Sequence, residues 1–150
     1  MTNNHLAHVL KTGSIASLAT TAAAGLAGQL ENKSLAAPLN ATSHIVWGDE
    51  AAGYDRFDLR HTAVGTLLNL GAMYMWAGVQ EMLFPKTSTW RGAAAVGAGV
   101  AALAYATDYY LLPKRLTPGF EKRVSPRAVF AIFTVLAAAL ALGARINRAR

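Results

Sequence analysis

Long apolar stretches alternate with short polar segments along the whole chain. Four windows are almost free of charged side chains and cover roughly residues 13–30, 62–84, 91–112 and 126–144. A helix rises about 1.5 Å per residue, so each window is long enough to cross the ~30 Å hydrocarbon core of a bilayer. The pattern predicts an all-α integral membrane bundle of four transmembrane helices. We expect one transmembrane domain over residues 1–150.

The first window is rich in small residues rather than in leucine. By helical periodicity, one stripe of this window contains Gly13, Ser17, Thr20, Ala24, Gly28 and Glu31. Small side chains let helix backbones approach closely in lipid, so this stripe is expected to pack against another helix. The alternative is a cleaved signal peptide with residues 13–28 as its apolar region. Its amino-terminal part has a single fixed side-chain charge, Lys11, which disfavours that reading.

The second window gathers its polar residues on one face. By the 3.6-residue period, this stripe contains Thr62, Gly65, Asn69, Met73, Trp76 and Gln80. The amides of Asn69 and Gln80 are too costly in free energy to leave facing lipid. We therefore expect the stripe to face the bundle interior, and Pro85 to end the helix.

Two acidic side chains lie inside the windows, each about one turn from an end. Glu81 belongs to the second window. Asp108 belongs to the third, where it shares a face with the small residues Ala94, Gly97, Ala101 and Ala104. An ionisable group within a span indicates a proton or ion site by default. Near a membrane surface, however, the same group can reach water or pair with a base, here Lys86, Lys114 or Arg115.

The segment between the first two windows, residues 31–61, is predicted to be an ordered interfacial loop. Its semi-apolar part, SLAAPLNATSHIVWG, is broken by Pro38 and is typical of an interfacial or re-entrant segment. Ile45, Val46 and Trp47 are expected to dip toward lipid. The acids of the loop are expected to face water and to cap the second helix, whose N-terminus favours negative charge.

This loop also holds the main candidates for chemistry. Haem ligation by His44 and His61 is one hypothesis, although a haem between helices usually needs histidines at membrane depth and these lie at window edges. The spacing of Asp58 and His61 resembles half of a di-iron site, but the second half is missing and no metal site is predicted. Ser43, His44 and Asp49 are near neighbours in a loop without a nucleophile-elbow pattern, so no enzyme activity and no cofactor are predicted.

Composition limits the remaining classes of function. The chain is 53% hydrophobic and 15% charged, and its lack of cysteine excludes disulfides, thiolate catalysis and cysteine-held clusters. The net charge of +6 is concentrated at the window ends rather than in a basic stripe, which indicates membrane anchoring and not nucleic-acid binding. Interface anchors are predicted at Trp47, Trp90, Tyr109 and Tyr110.

The numbers of basic residues on the two sides are too similar to decide the orientation of the chain in the membrane. Four spans would put both termini and the loop over residues 85–91 on one side, with six basic residues there and eight on the other side. Most acids lie on the second side, which weakly favours cytoplasmic termini in the bacterial inner membrane.

The segment EMLFPKTSTWRG resembles the YagU-like family of small bacterial inner-membrane proteins. In that family a span ends in an acid and Phe-Pro, a lysine follows, and Trp-x-Gly opens the next span. Here those places are filled by Glu81, Phe84, Pro85, Lys86, Trp90 and Gly92. The resemblance implies four helices in the inner membrane and no established enzyme activity, although the long acidic loop departs from the family pattern.

Two functions are compatible with these features. The first is a non-enzymatic accessory or assembly subunit that docks on a larger bacterial membrane complex of respiratory or photosynthetic type. Its partners would be the lipid bilayer and other membrane protein subunits. The second is a small membrane protein that binds or moves a proton, an ion, a haem or a quinone through buried acids and histidines.

Overall fold

The computed structural model describes residues 3–84 and 89–148, and within these ranges the chain forms helices and no strand. Pro85 and Lys86 lie outside the described residues, so the predictions that concern them do too. The α-helices are, in chain order, α1 (Asn3–Asn32), α2 (Ala37–Thr42), α3 (His44–Trp47), α4 (Val64–Leu83), α5 (Trp90–Ala106) and α6 (Pro126–Arg148). The all-α class is confirmed.

The four long helices lie close to the predicted windows, with two differences. α1 begins at Asn3, so the polar segment before the first window continues the same helix. α5 ends at Ala106 because the backbone widens into a π-helical turn over Thr107–Leu111. One described helix, Pro126–Arg148, is long and apolar enough to cross a membrane, with a mean hydropathy of 2.2.

The long helices run alternately in opposite directions. α1 packs along both α4 and α6, and α5 packs along α6. Thr12 of α1 is hydrogen-bonded to Glu81 at the end of α4, and we call this end of the bundle the terminal end. At the opposite end, the Ser125 hydroxyl before α6 lies 2.7 Å from a Glu31 carboxylate oxygen at the end of α1. This second end carries α2 and α3 and is called the loop end.

Small residues bring the helices together as predicted. The α1 stripe is buried from Gly13 to Gly28, while Glu31 is exposed. A Cβ atom added at Gly13 would lie 2.2 Å from the Tyr74 ring of α4. The predicted α5 face is correct except at Ala94, which is exposed, and Ala93 is buried in its place. The inward-facing positions Ala93, Gly97 and Ala101 of α5 are therefore four residues apart.

α2 is wedged between α1 and α4, and all six of its residues are buried. A Cβ added at Gly65 would lie 1.8 Å from the Leu39 carbonyl oxygen, and one added at Gly28 would lie 2.4 Å from the Pro38 ring. Backbone can approach this closely only because both helices carry glycine at the contact. Residues 36–44 of the predicted semi-apolar segment are thus an integral part of the bundle core, and the chain reaches the surface again within α3, where Val46 and Trp47 are exposed.

Side chains tie the two connections of the loop end to each other. Arg123, from the connection before α6, bonds the Asp55 carboxylate and donates to the Ala52 carbonyl at 2.5 Å. Arg115 donates to the Ile45 carbonyl at 3.1 Å. These bonds join segments about 70 residues apart in the chain. They attach the connection between α1 and α4 to the connection before α6.

Candidate functional site

Asp58 caps the π-helical turn Leu59–Ala63 that leads directly into α4, as expected for an acid of the loop. Its carboxylate accepts the His61 backbone N–H at 2.5 Å and lies 2.9 Å from the His61 ring Nδ1. These two bonds hold the pKa of Asp58 below its ordinary value. The His61 ring also stacks on Tyr54 with centroids 4.0 Å apart. Both residues are therefore engaged in shaping the start of the helix.

His44 is fully buried and joins the two loop-end connections. Its Nε2 lies 2.9 Å from the Thr117 carbonyl oxygen. Its Nδ1 is 3.4 Å from Asp49 without a hydrogen bond, and the Asp49 pKa is lowered mainly by Lys122, 3.0 Å away. The Ser43 hydroxyl donates to the Asn40 carbonyl at 2.7 Å and not to His44. Ser43, His44 and Asp49 thus lack the geometry of a proton relay.

Metal ligands do not gather anywhere in the described ranges. Across residues 3–84 and 89–148, no group of three or more histidine or acidic side chains could hold a metal ion. His44 and His61 each already direct one ring nitrogen at a protein oxygen. These bonds fix the ring orientations and account for both histidines as parts of the fold.

Glu81 lies in a buried polar network at the terminal end. Its side chain is fully buried, and its carboxylate accepts hydrogen bonds from Thr12 at 2.6 Å and Asn147 at 3.0 Å. Arg148 forms an ion pair with it at 2.7 Å and also donates to the Phe84 carbonyl at 2.9 Å. The carboxylate is therefore neutralised by α6, and this network joins three helices.

The predicted interior amides are both buried. Asn69 donates to the Thr20 and Thr21 hydroxyls of α1, each at 3.2 Å. Gln80 is fully buried, and both polar atoms of its amide lack a hydrogen-bond partner among the described residues. Burial of this stripe confirms that the polar face of α4 points into the bundle.

Asp108 differs from Glu81 in that no residue of the described ranges pairs with it as an opposite charge. It lies in the π-helical turn and lines a cavity of about 110 Å³ between α4, α6 and the loop end. No ion pair or hydrogen bond of Asp108 is present in the part of the chain that the structure describes. Arg115, a predicted partner, instead binds the Ile45 and Val46 carbonyls. The remaining cavity wall is largely apolar and includes Trp76, Phe120 and Phe133.

Three of the four predicted interface anchors are exposed near helix ends. Trp47 donates to the Arg60 carbonyl at 3.0 Å, with the Arg60 guanidinium 4.7 Å above its ring. Trp90 and Tyr110 are 57% and 76% exposed. Tyr109 differs from these three because it is only partly exposed and packs against Phe133, while its hydroxyl is buried. The π-helical turn explains this difference, because it turns the side chain by less per residue than an α-helix does.

No protein-family model matches the chain, and no curated protein or solved structure matches it. The resemblance to the YagU-like family therefore stays a prediction from short motifs.

The acids of the site could be predicted from the sequence, but the residues that surround them could not. The partners of Glu81 on α6, Asn147 and Arg148, are more than 60 residues away in the chain. The loop-end wall of the Asp108 cavity, which includes Leu116 and Phe120, comes from a connection without a recognisable motif. The one available signal was the position of Arg148 in the last turn of an apolar helix.

Proposed function

We propose that this protein is a four-helix integral membrane protein of the bacterial inner membrane. The observation that carries the proposal is the distribution of polarity across the long helices. Thr20, Asn69 and Gln80 face the interior, whereas the outer faces carry large apolar side chains such as Leu18, 74% exposed, and Phe130, 70% exposed. A bundle in water has the opposite arrangement, with its polar face outside.

The ends of the helices support the same placement. Charged residues are absent from residues 12–28, 62–80, 92–107 and 128–144, and they resume at both ends of the bundle. Arg145 lies over the exposed Trp90 ring at the terminal end, 5.2 Å from its centroid, and Arg60 lies over Trp47 at the loop end. Such pairs of aromatic and basic residues are typical of the two membrane–water interfaces.

Within the membrane, we infer that the protein acts as a non-enzymatic accessory subunit that docks on other membrane subunits through α5. The other long helices expose leucine, methionine or phenylalanine along their outer faces. Over the middle of α5, by contrast, the exposed residues Ala94, Ala95, Ala98, Gly99 and Ala102 are all small, and Leu103 is a large apolar side chain exposed next to them. Helices in lipid associate through close van der Waals contact between such small side chains.

A matched pair of tryptophan substitutions tests this docking face. Ala98→Trp places a bulky ring on the small face of α5, while Ala138→Trp makes the same change on the exposed face of α6. We expect the full-length protein to migrate with a larger complex on native gels in mild detergent. Ala98→Trp should release it, and Ala138→Trp should not. Equal migration of both variants, or a complex made only of this chain, would contradict the docking role.

Orientation is a separate part of the proposal. We infer cytoplasmic termini from the location of most acids at the loop end. A reporter fused to the C-terminus that is active only in the cytoplasm would support this orientation. Activity only in the periplasm would reverse it without affecting the docking proposal.

A further inference from the structure

The lining of the cavity beside Asp108 contains an acidic group and no basic group. The acidic group is the Asp108 carboxyl, and no lysine, arginine or histidine lines the cavity. Glu121 is a second acid in the connection that supplies Leu116 and Phe120 to the cavity wall, and its carboxylate accepts a hydrogen bond from Thr117 at 2.6 Å. A carboxylate in largely apolar surroundings is stabilised by an opposite charge, and here the described residues do not supply one.

The hydrogen-bonding groups of the cavity point to the same kind of ligand. Asn69 uses its N–H donor for Thr20 and Thr21, and Thr20 donates in turn to the Ala16 carbonyl. The Thr42 hydroxyl donates to the Pro38 carbonyl. This leaves the Asp108 carboxyl and the Asn69 carbonyl oxygen as free acceptors within the described chain, and the Trp76 indole as a neutral donor.

Aromatic rings and an opening complete the site. Trp76, Phe120 and Phe133 contribute to the wall, and rings of this kind attract organic cations through their electron-rich faces. The cavity of about 110 Å³ has room for several water molecules or for a compact head group. Leu116, which lines it, is 44% exposed, so the cavity opens beside an apolar side chain.

We propose that this cavity binds the ammonium head group of an amphiphilic organic cation. Asp108 provides the counter-charge, Asn69 provides a hydrogen-bond acceptor, and the aromatic wall surrounds the head group. The apolar tail leaves past Leu116 into the lipid. A quinone head group offers carbonyl acceptors to a site whose free groups are mainly acceptors, so it fits this chemistry less well.

Binding of a short cationic amphiphile to the full-length protein in a neutral detergent tests the proposal. The probe is octyltrimethylammonium, and octyl glucoside is the neutral comparison with the same tail. We expect saturable binding of the cation, measured by the rise in Tm and by tryptophan fluorescence. Asp108→Asn should weaken it by about tenfold or more, as expected for loss of a partly buried counter-charge. Glu50→Gln, the same charge change at an exposed loop position, should leave it unchanged.

A second variant keeps the test decisive if Asp108→Asn does not fold. Ala72→Leu enlarges a lining side chain without changing any charge and should also abolish saturable binding. Circular dichroism and gel filtration establish folding for each variant. Equal affinity of a folded Asp108→Asn variant for the cation would overturn the proposal. So would saturable binding of octyl glucoside, or displacement of the cation by a short-chain quinone at similar concentration.

The ammonium group can belong to a lipid or to a free amphiphilic amine, and the same assay separates them. Nanodiscs that contain phosphatidylethanolamine should compete with the probe if the source is lipid, whereas phosphatidylglycerol nanodiscs should not. Lack of competition by both assigns the site to a free amine. The proposal does not depend on the docking face: Ala98→Trp should retain cation binding, and Asp108→Asn should retain the larger complex.

Discussion

The Glu81 carboxylate and the Arg148 guanidinium lie 2.7 Å apart at the terminal end, although 67 residues separate them in the chain. The carboxylate is fully buried, and Arg148 is nearly so. Hydrogen bonds from Thr12 and Asn147 satisfy the carboxylate further. The pair therefore fixes the end of α6 against α4 in a position that water barely reaches.

Removing one partner of this pair should destabilise the protein strongly. Arg148→Met leaves the Glu81 carboxylate buried without its counter-charge, and we expect the free energy of unfolding to fall by about 3–5 kcal/mol. Adding Glu81→Gln should recover much of that loss, because the buried charge is then removed as well. Unfolding in mixed detergent micelles measures each value. A double variant no more stable than Arg148→Met would contradict a direct coupling.

Gly65 should not tolerate a larger residue. A Cβ atom there would lie 1.8 Å from the Leu39 carbonyl oxygen, so Gly65→Ala must push α2 away from α4. We expect a loss of about 1–3 kcal/mol in the free energy of unfolding. Gly71→Ala on the same helix is the control, since an added Cβ there meets nothing within 4 Å. Similar losses at both positions would indicate a helix-wide effect instead of the α2 contact.

The Asp58 cap should give the loop end a stability that depends on pH. Its pKa is lowered below the ordinary value of 3.8 by the bonds from His61. Stability from the cap is therefore complete above that ordinary value and is lost as the pH falls through the lower, folded-state pKa. Asp58→Asn should lack this dependence. The difference in unfolding between the two proteins is measured across acidic pH, and a difference that grows as the pH falls would have the wrong sign.

The sequence was sufficient to locate the long helices and to orient α4. Long stretches without charged residues predict the helices. The amides of Asn69 and Gln80 indicate which face of α4 points inward, because an amide is costly to leave facing lipid. The burial of α2 was not predictable. It depends on glycines in α1 and α4 that meet Pro38 and Leu39 only after the bundle has formed.

The acidic residues of the candidate site could be predicted from the sequence, but the partner of each acid could not. Glu81 and Asp108 have similar positions near the ends of apolar windows, yet one is paired with Arg148 and the other faces a cavity. Local spacing cannot distinguish them, because both environments are built from segments distant in the chain. The partial burial of Tyr109 could not be predicted either, because the π-helical turn alters side-chain direction without a sequence signal that periodicity detects.

The most direct measurement of the membrane arrangement uses the absence of native cysteine. Single cysteines replace Leu18, Met75, Leu103 and Phe130, which are exposed on the outer faces of the four long helices, and Gly53 in the loop is the accessible control. Intact membranes are treated with a membrane-impermeant maleimide added on both sides. If all four helices span the bilayer, the cysteine at Gly53 should react and the four outer-face cysteines should react only after denaturation. Labelling of the outer-face cysteines as fast as the Gly53 position would show that these faces contact water and would contradict the four-span bundle.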